Sequence, residues 1–463
     1  MSKIDFFFNP KSVAIIGATS NPKKFGNTVT ANILSNNNLK SEIFLISNRS
    51  QIIRGLRTYK SISDVKIDVE LAILLVPASY VPKIIEECIQ KRVKGIIINS
   101  AGFGEINEEG KKIEQKIVKR CKEAGIRVIG PNCVGIQNVP NGLNASFIQT
   151  PPQGNISMIT QSGSFGVACL YEMRQNHLGC AKFTNLGNQI DISFNNILSF
   201  YKNDTQTKVI CIYSETIANG KSFYNKIREV TPIKPVIVLK GGRTKMGMSA
   251  ANSHTGSMAS NYKIMKAAIH QGGALVCENM YDYITALKAY SFLPLPDGEK
   301  IGVLTNSGGS AVLFSDYMEK FGFQLADFSP SLKINLQKHL ISLVKLVNPL
   351  DMIAGANEEQ YYQVTKAMLE DDNIDIVVAC TVIPPFLDMK SDEHLNGIIK
   401  AWNETQRKKP LIPLFLFGHA FEALKVLSEK EKLPLFMIPR EAAHATKYLI
   451  ERMRFLNSLE SSS

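Results

Sequence analysis

The 463-residue sequence has no uninterrupted apolar stretch of about 18 residues, the length a helix needs to cross a bilayer. Its opening Met-Ser-Lys-Ile-Asp-Phe-Phe-Phe-Asn-Pro lacks the apolar core of a secretory leader. The expectation is a cytoplasmic protein with no membrane association. It also lacks Cys-x-x-Cys and His-x-x-x-His, so metal binding fits less well and no metal is expected on this chain. The eight cysteines lie mostly inside apolar segments and read as reduced core residues. Lysine and arginine exceed aspartate and glutamate by 53 to 41, for a net charge of +12, yet no long basic block or nucleic-acid motif is evident. The excess reads as distributed surface charge suited to anionic ligands, with no nucleic-acid partner.

What is present is repeated alternation of short apolar runs with amphipathic segments. Residues 13–16, 42–46, 71–76, 95–98 and 127–129 read as parallel strands of a Rossmann-like domain over 1–140. The first strand enters a loop from Gly17 through Thr19, Ser20, Lys24 and Phe25 to Gly26, where a helix would point free N–H groups at a phosphate. No acidic residue ends the second strand, where Ser47-Asn48-Arg49 stands, so a nicotinamide dehydrogenase is disfavoured and an anion such as coenzyme A fits. Three further loops follow strand ends: Val76-Pro77-Ala78, Ser100-Ala101-Gly102 and Gly130-Pro131-Asn132. Together they make a binding cleft on one rim.

Two further doubly wound domains of flavodoxin-like type are expected over 150–296 and 299–455. The first has strands at 155–159, 180–183, 209–213 and 235–239; the second at 301–304, 375–379, 412–415 and 435–437. Each opens with one device, Thr160-Gln161-Ser162-Gly163 and Thr305-Asn306-Ser307-Gly308-Gly309, in which a strand ends and a helix starts at once. Backbone donors at such helix ends suit phosphate. Ordinary serine capping is the plainer alternative.

The most distinctive stretch runs from Lys240-Gly241-Gly242-Arg243 to Ser253-His254-Thr255-Gly256-Ser257. Its small and polar residues predict a mobile loop beyond a strand end. His254 on that loop could be a general base, a metal ligand, a covalent phosphate carrier or a plain polar residue. Glu215, after the strand that ends in Tyr213-Ser214, is placed to orient an imidazole.

These motifs, with Ala101-Gly102-Phe103-Gly104-Glu105 and Gly130-Pro131-Asn132-Cys133 in the same order, resemble the α subunit of the ADP-forming acyl-CoA (acetyl-CoA) synthetases, relatives of succinyl-CoA synthetase. The resemblance covers nearly the whole chain. It implies that His254 carries a phosphoryl group, that Glu215 holds its imidazole, that the Gln161-Ser162-Gly163 and Ser307-Gly308-Gly309 helix ends cradle phosphate, and that the first-domain loops bind CoA. It further implies an acid–CoA ligase acting through acyl phosphate, with acetate as the default acid. ADP or ATP and Mg2+ would sit on an ATP-grasp β subunit in an α2β2 assembly, since no ATP-grasp portion is found in this sequence. Ile46-Ser47-Asn48-Arg49 departs from the family's Val-Asn-Pro, with Arg49 as a replacement cationic contact; Asn348-Pro349-Leu350-Asp351 is retained. The competing reading is a non-catalytic, CoA-binding regulatory module.

Overall fold

The computed structural model describes residues 4–49, 51–255, 262–383, 390, 392–416 and 422–461, the side chains of 252–255 excepted. The chain forms two compact units, Met1–Met280 and Tyr281–Ser463. In the first unit lie β1 (Ser12–Ile16), β2 (Glu42–Ile46), β3 (Ile52–Ile53), β4 (Leu56–Tyr59), β5 (Leu71–Leu74), β6 (Gly95–Ile98) and β7 (Arg127–Ile129), in the sheet order β3-β4-β2-β1-β5-β6-β7. The parallel strands β1, β5 and β6 are buried along their length, as expected of a sheet covered by helices on both faces. The chain winds from β1 to β2 on one side and returns to β5 on the other. The loops after β1 and β5 therefore flank a topological switch point, where such sheets open a ligand crevice.

The second sheet contains β8 (Gly135–Asn138), β9 (Leu143–Ser146), β10 (Gln153–Thr160), β11 (Cys180–Asn185), β12 (Val209–Ser214), β13 (Val236–Lys240) and β14 (Leu275–Cys277). Its order is β14-β13-β12-β10-β11-β8-β9, with the β8–β9 hairpin antiparallel to β11 at one edge. Residue 140 falls in the turn of that hairpin, so the segment just past the first sheet is built into the second. One hydrophobic core runs through both: Phe7 and Phe8 of the short helix Asp5–Phe8 join Val13 and Ile15 of β1 with Ile159, Ile210 and Tyr201. Phe8 stacks on Phe200 with centroids 4.5 Å apart, and its carbonyl accepts a hydrogen bond from Asn138 Nδ2 at 3.0 Å.

The second unit holds β15 (Ile301–Thr305), β16 (Leu350–Asp351), β17 (Ile376–Thr381) and β18 (Leu411–Phe415), in the order β16-β15-β17-β18. The strand expected at 435–437 reduces to a single bridge, Leu414 to Phe436, because Pro434 and Pro439 bracket the segment and neither can donate to a ladder. The helix Met280–Phe292, within the range 150–296 expected for the middle domain, belongs from Tyr281 onward to this unit. Its Lys288 makes a buried ion pair with Glu441 at 2.8 Å and donates to the Leu435 carbonyl. Among the described residues no helix is long and apolar enough to cross a membrane, and all eight cysteines are buried, none of them in a disulfide.

Candidate active site

The loop after β1 is shaped by two glycines. Gly17 has φ of +100°, and a Cβ there would lie 2.5 Å from the Leu75 carbonyl oxygen. A Cβ on Gly26 would lie 2.1 Å from the Gly17 carbonyl oxygen, so only hydrogen lets the helix Phe25–Leu34 start against the turn. Thr19 locks the loop from within, its hydroxyl accepting from the Asn21 amide at 3.2 Å and its carbonyl from Asn27 Nδ2 at 3.1 Å. The helix N-terminus has no side-chain cap, and Lys23 and Lys24 are exposed beside it, so free N–H groups and two ammonium groups face one anion-sized space. Phe25 stacks on Phe147 at 4.4 Å.

A cavity of about 1000 Å3 opens from this loop to the carboxyl rim of the second sheet. Of the residues expected to hold CoA, it is lined by Gly17, Lys24, Phe25, Gly26, Val76, Pro77, Ser100, Ala101 and Asn132. Gln161, Ser162 and Gly163, expected at phosphate, line it too. Thr19, Ser20, Arg49, Ala78 and Gly102 do not: Ser20 and Arg49 are exposed, and the Gly102 amide donates to Glu105 Oε1 at 2.6 Å. The sequence reading missed the loop after β11 and the residues 216–219 after β12, which complete the wall. The signal was there for the first, since Gly187-Asn188-Gln189 is a turn sequence at a strand end.

Each Thr-x-Ser-Gly device has the same internal wiring. Thr160 donates to the Ser162 carbonyl at 2.7 Å, and Thr305 donates to the Ser307 carbonyl at 2.9 Å. The residue between them ties its own strand end to the next strand across the switch point. Gln161 Oε1 accepts from the Glu215 and Thr216 amides at 2.8 and 3.0 Å, as Asn306 Oδ1 accepts from the Val382 amide at 2.9 Å. The helix ends then differ. Ser162 caps Gly163–Gln175 weakly, at 3.4 Å from the Phe165 amide, and that end opens into the cavity. Ser307, Gly308 and Gly309 begin Gly308–Lys320 in the second unit, where a Cβ at Gly308 would lie 3.0 Å from the Asp351 carboxylate.

Glu215 is buried at the end of β12 and accepts a hydrogen bond from the Tyr213 hydroxyl at 3.2 Å. Burial first, and the neighbouring Glu215 second, push the Tyr213 phenol above its ordinary value, which keeps it a donor. The Tyr213 ring stacks on Phe165, in the first turn of the helix that opens on the cavity, with centroids 3.7 Å apart. The loop expected after Gly242 is instead largely an α-helix, Lys245–Thr255. Met246, Met248, Ala250 and Ala251 favour helix there, and Thr244 Oγ1 accepts from the Gly247 amide at 3.1 Å to start it. His254 belongs to this helix by its backbone, and its side chain lies outside the described residues. Among the described residues no group of histidine, cysteine and acidic side chains could hold a metal ion.

Residues 11–139 match a CoA binding domain, 153–290 a succinyl-CoA ligase like flavodoxin domain and 301–406 a ligase-CoA domain. The ADP-forming acetate–CoA ligase II subunit alpha of Pyrococcus furiosus is 38% identical over 451 residues, covering 97% of this chain and 98% of that one. The chain belongs to the ADP-forming acetyl-CoA synthetase α-subunit family. This synthetase-family chain also matches, at 30% identity and a TM-score of 0.93 over 100% of its length and 99% of the other, a solved dinucleotide-forming acetyl-coenzyme A synthetase 1 of Ca. Korarchaeum cryptofilum in complex with phosphate and ADP. A 4-hydroxybutyrate–CoA ligase, ADP-forming, of Nitrosopumilus maritimus is 32% identical over 81% of the synthetase-family chain, which covers 54% of that longer protein.

Proposed function

We propose that this α subunit interconverts acyl-CoA, ADP and phosphate with carboxylic acid, CoA and ATP, through an acyl phosphate and a phosphohistidine at His254. One observation carries the reading: the anion-binding loop after β1 and the helix end at Ser162 line a single cavity, so a thioester held by the first sheet meets a phosphate site on the second. A phosphate oxygen attacks the thioester carbonyl, the C–S bond breaks, and CoA leaves as thiolate. The resulting acyl phosphate then gives its phosphoryl group to the His254 ring, releasing the carboxylate. Helix-end N–H groups stabilise the charge spread over the phosphoryl oxygens, and the Glu215 carboxylate stabilises the charge developing on the ring.

The nucleotide and Mg2+ belong, in this reading, to an ATP-grasp β subunit in an α2β2 cytoplasmic enzyme. Two observations support a further portion supplied by a partner: the Pyrococcus furiosus relative is called a subunit, and the Nitrosopumilus maritimus relative, of which this chain covers 54%, is the longer protein. Acetate is the acid of first choice, on the names of the subunit relatives. The test is peptide mass spectrometry of the chain incubated with acetyl-CoA and phosphate at alkaline pH. The expected result is one phosphoryl mass on the peptide carrying His254, absent in His254→Ala, which still binds CoA. Absence of the mass with every acyl-CoA tried, with partner present, would leave a CoA-binding regulatory module.

A further inference from the structure

Lys240 ends β13 with its ammonium group almost wholly removed from water. An isolated buried ammonium is costly, so it must be held by acceptors. Its Nζ donates to the backbone carbonyls of Glu215 and Gly241, which close β12 and β13 respectively. Glu215 is thereby gripped at three points: its amide by Gln161, its carbonyl by Lys240 and its carboxylate by Tyr213. Of these three, only Lys240 also ties Glu215 to the strand that leads directly into the helix Lys245–Thr255.

We propose that Lys240 is a positioning residue for phosphoryl transfer, whose ammonium group locks the Glu215 strand end to the Gly241 strand end and so fixes the carboxylate against the segment that carries His254. The proposal rests on the reading of His254 as phosphate carrier. The charged group acting on it is the Glu215 carboxylate, which holds the ammonium charged against the desolvation that burial imposes. Burial lowers the ammonium to about 8, so the clamp loses its charge just above neutral pH.

The experiment is single-turnover phosphoenzyme formation from acetyl-CoA and phosphate with the full chain and its partner, read across pH for wild type, Lys240→Met, Lys240→Arg and Glu215→Gln. Lys240→Met should slow phosphoenzyme formation roughly a hundredfold, the scale of a small misplacement of a reacting group, while the CoA dissociation constant stays within about twofold. Wild type should lose rate on an alkaline limb near pH 8, and Lys240→Arg, which stays charged, should move that limb upward whatever its own maximal rate. A Lys240→Met protein with the wild-type rate, or an alkaline limb unmoved in Lys240→Arg, overturns the proposal. If Lys240→Met does not fold, the Lys240→Arg limb alone decides. Wild-type chain that takes no phosphate overturns the functional reading and the proposal together; phosphate lost only in Glu215→Gln and retained at full rate in Lys240→Met overturns this proposal alone.

Discussion

Asn188 is the residue through which the cavity wall reaches two carboxyl groups. Its Nδ2 donates to Glu105 Oε2 and to Glu114 Oε1, at 2.6 Å each. Burial raises Glu105, but hydrogen bonds from the Gly102 amide and Asn188, among others, outweigh it and hold the acid below its ordinary range. At Glu114 burial wins, and the acid is raised. A raised carboxyl binds its proton more tightly folded than unfolded, so it weakens the fold progressively as pH climbs through the unfolded and then the folded value. Glu114→Gln should therefore melt higher than wild type at about pH 7.5, with the gain shrinking as pH falls toward about pH 4, where the acid becomes mostly protonated in both states. Thermal melts at the two pH values check this, and an equal gain at both would place the effect elsewhere. None of this was legible in the sequence, because Glu114 sits in a helix whose other acidic residues are exposed.

At the scale of elements, the apolar strands announced themselves. The expected runs at 42–46, 95–98 and 127–129 coincide with β2, β6 and β7, where continuous Ile, Val and Leu leave little choice of structure. The β8–β9 hairpin did not, because polar side chains share its interior. Gln137, Asn138, Asn144 and Ser146 are fully buried and bonded among themselves and to nearby carbonyls, as in Gln137 Nε2 to Ser146 Oγ at 2.9 Å, and they interrupt the apolar Ile136, Leu143 and Ala145, so no continuous apolar run marks the strands. The helix Lys245–Thr255 was missed for the opposite reason: small residues that permit a loop also permit a helix. The helix Phe25–Leu34 carries its own prediction. Gly26→Val would drive a side chain into the Gly17 carbonyl and push the helix end off the turn. CoA affinity should fall at least tenfold, about 1.4 kcal/mol, in isothermal titration, with far-ultraviolet circular dichroism unchanged. Unaltered affinity would show that the helix end is not the anion site.

For the whole molecule, the sequence pattern implied three α/β sheets in series, and three are present. Which pieces act as one body depended on contacts far apart in sequence, and these carry no local mark. Every residue lining the large cavity belongs to the first unit. A protein ending at residue 280 is therefore expected to bind CoA within about threefold of the full chain, since no described residue beyond 280 lines the cavity. Equilibrium titration of the two proteins tests it, and a large loss would mean that residues beyond 280 shape the site.

The stacking of Phe8 on Phe200, and the capture of the β8–β9 hairpin by β11, also govern how this protein can be recombined. A chimera that exchanges the carrier-recognising portion of two such proteins at residue 140 would put half a hairpin from one parent beside half from the other and mismatch the ring stack. A crossover after the second sheet keeps both partners of every such contact from one parent. The two sheets that line the cavity therefore recombine as a block.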